Sequence, residues 1–207
     1  TPPPAPAPRA VRVYLTTGDQ TRLLSREADL AFGPDTAVAD VPRLDVDTTL
    51  QYQSMLGFGA AVTDAAAINI QQRMADGPRR QLLEDLFTVG GEGTPGGGNP
   101  GPGIGLSVVR VPMGASDFSP THYTYADAPD TTLATFSIAP DRPAKLPVLR
   151  AARALAPDLY VVGSPWSPPA WMKTSGSLIG GTLREDRLGP FGRYFVRFVE
   201  AYAAEGV

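Results

Sequence analysis

The sequence contains no cysteine and a single histidine, His122. The first absence excludes disulfides, thiolate-held zinc and a cysteine nucleophile. The second excludes a histidine-built metal site, because one imidazole cannot supply the ligand set that zinc requires. His122 itself, in a polar loop between Thr121 and Tyr123, reads as a solvated side chain. No serine has the spacing of a nucleophile elbow, which argues against a Ser-His-Asp triad. There is no run of about 18 apolar residues, so no transmembrane segment is expected. An excess of positive charge is also missing: a net charge of −3 gives no electrostatic basis for binding nucleic acid or anionic membranes. No metal and no cofactor is expected.

What is present is a chain of 207 residues, 43% of them hydrophobic, enough for a sizeable core. Glycine and proline, 22 each, make it rich in turns and long loops. Residues 1–10, TPPPAPAPRA, read as a disordered, polyproline-like tail. Such a tail often remains after a signal peptide is removed, so a secreted or extracytoplasmic protein is expected. Residues 90–103, GGEGTPGGGNPGPG, look superficially like a phosphate cradle. No GK[ST] follows and no helix begins there, so they read as a flexible insertion.

Residues 11–17 and 46–52 have the β-branched and aromatic character of strands, with a third, looser strand over 21–32. Together these predict a small antiparallel sheet. From residue 53 the pattern changes. Thr63-Asp64 can cap a helix over 65–74, and Pro78 at a first helical position predicts a second over 78–87. Ile104, Leu106 and Val108 alternate, predicting a strand with those residues on its buried face and Arg110 on the same face at its end. A helix over 144–156, a strand over 159–163 and an amphipathic helix over 191–204 complete the chain. The last helix places Phe191, Tyr194, Phe195, Phe198, Val199 and Tyr202 on one side. Strands alternating with helices predict a parallel sheet with crossover helices. A closed eight-fold barrel takes roughly 250 residues, and about three of its units are expected here.

In such barrels the strand ends and the loops after them build the active site. Arg110 and Asp117 lie at one such end. Asp117, in a Gly-Ala-Ser-Asp-Phe loop, either bonds its own backbone as a turn residue or accepts hydrogen bonds from sugar hydroxyls. Arg110 suits bidentate pairing with a carboxylate, whether that pair is structural or part of a site. Trp166 and Trp171 lie in the loop after the 159–163 strand, stiffened by Pro165, Pro168 and Pro169. An indole offers a flat face to a pyranose ring and an N–H to a hydroxyl. Trp166, beside the strand end, is the expected site residue, and Trp171 reads as loop packing. A retaining glycosidase needs two carboxyl groups roughly 5 Å apart. None of the six glutamates, Glu27, Glu84, Glu92, Glu185, Glu200 and Glu205, ends a barrel strand.

Three motifs resemble glycoside hydrolase family 30, the group of glucosylceramidases, β-glucosidases and β-1,6-glucanases. They are GFGAAVTDAAAINI at 57–70, GIGLSVVRVPMGASDFSPTHYTYAD at 103–127 and SPWSPPAWMKTSG at 164–176; RYFVRFVEAYAAEGV at 193–207 also matches. The resemblance implies an α/β fold: a (β/α)₈ TIM barrel, its first three β/α units over 53–207, with an accessory β-sandwich begun by the strands of 11–52. It further implies that Asp117 and Trp166 bind the hydroxyls of a glucose-like ring. Arg110 and Phe118 would support the catalytic centre. Both catalytic glutamates are expected beyond Val207, so none of the catalytic residues is expected within the chain.

The implied function is the N-terminal part of a retaining β-glycosidase acting on a β-glucoside or β-glucan substrate. Its partner would be the remainder of the barrel, in the same gene product or a second chain. The alternative is a non-catalytic carbohydrate-binding or interaction module derived from a truncated barrel.

Overall fold

The computed structural model describes residues 10–11, 13–23, 25–34, 41–42, 44–45, 47–89 and 103–207. The chain divides into two compact units, Thr1–Tyr52 and Gln53–Val207. The tail, apart from Ala10, and the Gly/Pro-rich insertion, apart from Gly103, lie outside the described residues.

In the first unit, β1 (Ala10–Val11) pairs antiparallel with β4 (Leu30–Ala31), and β2 (Tyr14–Leu15) with β3 (Ser25–Arg26). The looser strand expected over 21–32 is therefore the return leg of the first one. The strand expected over 46–52 is not formed where the chain is described, from 47 onward. The Asp47 carboxylate accepts from the Thr49 amide at 2.9 Å and from its hydroxyl at 2.6 Å. That side-chain turn takes the backbone out of a ladder despite its β-branched composition.

The second unit is built on a parallel sheet in the order β5 (Gly59–Ala61), β6 (Val108–Met113), β7 (Tyr160–Pro165). Ala61 lies opposite Arg110, and Arg110 opposite Val162. Helix α1 (Asp64–Ile68) follows β5, capped as expected: the Thr63 hydroxyl accepts from the Ala66 amide at 3.3 Å. It ends in a π-helical turn, Asn69–Arg73, rather than continuing as α-helix. Helix α2 (Asp76–Phe87) starts two residues before Pro78, which stays within the first turn, where its missing N–H costs nothing. Helix α3 (Lys145–Leu155) links β6 to β7, and α4 (Leu188–Ala204) follows β7.

The buried face of β6 is the opposite of the one expected. Val109, Val111 and Met113 are buried, whereas Ile104 is 58% exposed and belongs to an isolated bridge with Val89. The alternation had the right period and the wrong phase. The helices cover the face of Val109, so Arg110 stands on the open face with Val108. Against the covered face pack Leu146, Leu149 and Ala152 of α3, Leu83 and Phe87 of α2, and Tyr194, Phe198 and Tyr202 of α4. The last three follow i, i+4, i+8 spacing. Val199, placed on the same side by sequence, is exposed.

Helix α4 approaches β7 closely because position 163 carries no side chain. A Cβ on Gly163 would lie 2.6 Å from a ring carbon of Phe198, which is itself buried. Gly163→Ala is expected to lower stability by about 1–3 kcal/mol, the usual cost of overpacking a filled core. Urea denaturation checks it, and an unchanged midpoint would show that α4 slides freely on the sheet.

Candidate active site

The C-terminal ends of β6 and β7 carry the two loops singled out by sequence. After β6, Gly114 adopts φ 85°, a left-handed conformation suited to glycine, and turns the chain sharply. The loop is then pinned from several sides. The Ala115 amide donates to the Tyr123 carbonyl at 2.9 Å, and the Ser116 amide to the Ser119 hydroxyl at 2.9 Å. The Ala65 amide at the start of α1 donates to the Phe118 carbonyl at 2.9 Å, and the Ser119 hydroxyl donates to Asp64. Asp117 stands exposed at the corner of this fixed turn.

Beneath the loop lies a buried ionic cluster. The Lys145 ammonium, 1% exposed, donates to Asp141 at 2.8 Å, to Asp64 at 3.3 Å and to the Pro112 carbonyl at 3.4 Å. Three phenols complete the acceptors. Tyr123 donates to Asp64 or Asp141, each at 3.0 Å, while Tyr125 and Tyr202 donate to Asp141. Tyr123 thus joins the cluster to the cavity above it.

Burial first, and the Asp141 and Asp64 charges second, push the Tyr123 phenol far above its ordinary value. Burial raises Tyr125 and Tyr202 in the same way. A raised folded value means the native state keeps these protons after the unfolded chain would lose them. Their stabilising contribution is therefore complete below the ordinary phenol value of 10.0 and lost above it. Raising the pH past that value is expected to unfold the protein. These three phenolates should appear only together with loss of the circular dichroism signal. Phenolate absorbance that rises fully while the fold persists would contradict the burial.

After β7, Trp166 is 43% exposed. The Arg110 guanidinium lies over its ring at 5.0 Å and donates to the Ser164 hydroxyl at 2.8 Å. Arg110 forms no ion pair with Asp117 among the described residues, so its partners are an aromatic face and a hydroxyl. The cation over the ring and the bond to Ser164 together fix the orientation of the indole. Trp171 packs as expected: its indole N–H donates to the Ala126 carbonyl at 2.8 Å.

Asp117 and Trp166 line one cavity of about 360 Å³, together with Ser116, His122, Tyr123 and Thr124 on one side and Ser167, Leu178 and Ile179 on the other. Phe118 is not brought into it. Its ring, 60% exposed, lines a separate hollow of about 290 Å³ with Ala65, Ile68 and Pro120. His122 is exposed but not idle, since it forms part of the cavity wall. Its position five residues after Asp117 was the available signal. Leu178 and Ile179 arrive from a loop with no sequence signal at all. No group of acidic or histidine side chains able to hold a metal occurs among the described residues. No helix there is long and apolar enough to cross a membrane.

A parallel sheet backed by helices, with its cavity at the strands' C-terminal ends, gives the second unit an α/β barrel-type fold. The family model for the glycosyl hydrolase family 30 TIM-barrel domain matches residues 55–207. The chain therefore belongs to glycosyl hydrolase family 30, a family of glycoside hydrolases.

Among curated relatives, putative glucosylceramidase 4 of Caenorhabditis elegans is 38% identical over 78% of this chain and 30% of its own length. Lysosomal acid glucosylceramidase of Mus musculus is 34% identical over 76% of this chain and 30% of its own length. An endo-1,6-beta-D-glucanase of Neurospora crassa is 31% identical over 79% and 34%. A solved endo-beta1,6-glucanase superposes with a TM-score of 0.74 at 30% identity, over 95% of this chain and 40% of that one. The chain thus spans about a third of the length of the curated relatives it matches.

Proposed function

We propose that this chain supplies the sugar-holding part of the active site of a retaining β-glycosidase. The observation that carries the reading is the shared cavity of Asp117 and Trp166 at adjacent strand ends. A glucose-like ring laid on the indole would bury its C–H face against an aromatic plate. The Asp117 carboxylate, held on a braced turn, would accept from two ring hydroxyls. Arg110 acts from behind by fixing Trp166. Asp117, Trp166, Arg110 and Phe118 are the residues proposed for binding and support.

Double displacement needs a nucleophile and an acid/base group on opposite sides of the scissile bond. The cavity has one carboxylate, Asp117, and no glutamate lines it among the described residues. The proposal therefore assigns both catalytic glutamates to barrel strands outside residues 1–207, in the same polypeptide or a second chain. Residues 53–207 would be the first three of eight β/α units, and the short ladders of the first unit the start of an accessory β-sandwich. Relatives named for glucosylceramide and for 1,6-β-glucan support a β-glucoside or β-glucan substrate. Export, the expectation attached to the proline-rich tail, belongs to the same proposal. The one-carboxylate cavity also favours a second reading, a non-catalytic carbohydrate-binding module.

Tryptophan fluorescence titrated with methyl β-glucoside, alongside turnover of an aryl β-glucoside by the full-length protein, tests both readings. Binding with turnover is expected for the hydrolase. Binding without turnover would install the module instead, and no binding would sink both.

A further inference from the structure

The second unit holds two buried lysines, and they are satisfied in opposite ways. Lys145 faces two carboxylates. Lys173, 8% exposed, forms no ion pair among the described residues. Its ammonium donates instead to the Leu178 carbonyl at 2.8 Å and the Ser167 hydroxyl at 3.1 Å. Burying a cation against neutral acceptors alone is costly, so what those two acceptors have in common matters. Both belong to residues that line the cavity of Asp117 and Trp166.

The segment that carries Leu178 is a closed excursion. Lys173 and Leu183 form an antiparallel bridge at its base. The Thr174 amide donates to the Thr182 carbonyl at 2.9 Å, and the Thr182 amide returns to the Thr174 hydroxyl at 3.0 Å. Toward the tip, Ile179 is 74% exposed and Gly180 and Gly181 turn back with φ of 64° and 72°. The Ser175 hydroxyl donates to the Gly180 carbonyl at 3.1 Å, and the exposed tip is held by bonds from below. Two groups reach the middle of the segment from below: the Lys173 ammonium, and the Ser167 hydroxyl, which itself donates to the Leu178 carbonyl at 3.0 Å.

We propose that Lys173 is a positioning residue for the sugar cavity. It clamps residue 178 to Ser167, and so holds the wall of Ser167, Leu178 and Ile179 at a fixed distance from Trp166. The assignment rests on the reading of the cavity as a sugar site. A preformed wall would let the ligand bind without ordering a loop first.

The test compares wild type, Lys173→Met and Lys173→Arg in the full-length protein. Methionine keeps an unbranched stem and removes every donor, whereas arginine restores donors. Amide exchange read by mass spectrometry is expected to rise at least tenfold across 174–182 in K173M, with β6 and α3 unchanged. Affinity for methyl β-glucoside, read by tryptophan fluorescence, is expected to fall about tenfold in K173M and to recover to within threefold in K173R. Ser167→Ala removes one acceptor of the ammonium together with the hydroxyl's own bond to the Leu178 carbonyl, and leaves the ammonium in place. It should move both readouts the same way, and where K173M fails to fold, Lys173→Gln, which loses the charge and keeps a single amide donor group, decides the matter. Wild-type affinity in K173M, or in K173Q where that variant stands in, would overturn the assignment and leave the sugar site standing. A wild-type protein that binds no β-glucoside would overturn the sugar site and this assignment together.

Discussion

Lys145→Met is expected to cost about 3–5 kcal/mol, a large fraction of the roughly 5–15 kcal/mol that holds an ordinary domain folded. The ammonium sits between Asp64 and Asp141, 7% and 0% exposed, and supplies the only cation within salt-bridge reach of either among the described residues. Methionine fills the same volume and leaves both carboxylates without a counter-charge, so cavity formation contributes little and the loss is electrostatic. The damage should spread upward, because Asp64 also anchors the Asp117 loop through Ser119 and Tyr123. Urea denaturation of the variant beside wild type measures the loss. A drop below about 1 kcal/mol, the scale of an exposed ion pair, would mean that water reaches the cluster.

Asp117→Ala is expected to separate binding from stability. The carboxylate is exposed and makes no hydrogen bond or ion pair among the described residues, so its removal should leave the unfolding free energy within about 0.5 kcal/mol of wild type. Hydrogen bonds to a charged acceptor contribute roughly 1.5–3 kcal/mol each. Two of them to sugar hydroxyls would make the loss of methyl β-glucoside affinity a hundredfold or more, up to about ten-thousandfold. Asp117→Asn, which keeps one acceptor oxygen, should fall between. Wild-type affinity in Asp117→Ala would remove the central residue of the proposed site. A large loss of stability would instead make Asp117 a turn-former.

The elements most legible in the sequence were those whose signals are local. The buried Tyr194, Phe198 and Tyr202 of α4 follow from period-3.6 patterning, and the Thr63 cap from two adjacent residues. The phase of β6 was not legible, because alternation fixes which residues share a face and not which face the helices will cover. Residues 47–52 were misread for a different reason: a single carboxylate, Asp47, outcompetes the strand propensity of its neighbours.

The cavity was half legible. Asp117 and Trp166 could be named from their place at strand ends. The ionic cluster beneath them could not, since Asp64 meets Ser119 across 55 positions and Tyr202 meets Asp141 across 61. Long-range pairing of that kind leaves no local pattern. Lys173 was hidden in the same way, inside a motif that drew attention to its tryptophans.

The bond from the Ala65 amide to the Phe118 carbonyl, with that from Ser119 to Asp64, has a consequence for recombining barrels of this kind. The loop that follows β6 is fastened to the helix that follows β5, while Lys145 fastens both to α3. A graft that took β6 and its loop alone would leave its anchors behind and bring a stranger's in their place. An exchange between relatives that keeps the binding loop in its shape would therefore carry residues 59–155 and also α4, whose Tyr202 donates to Asp141.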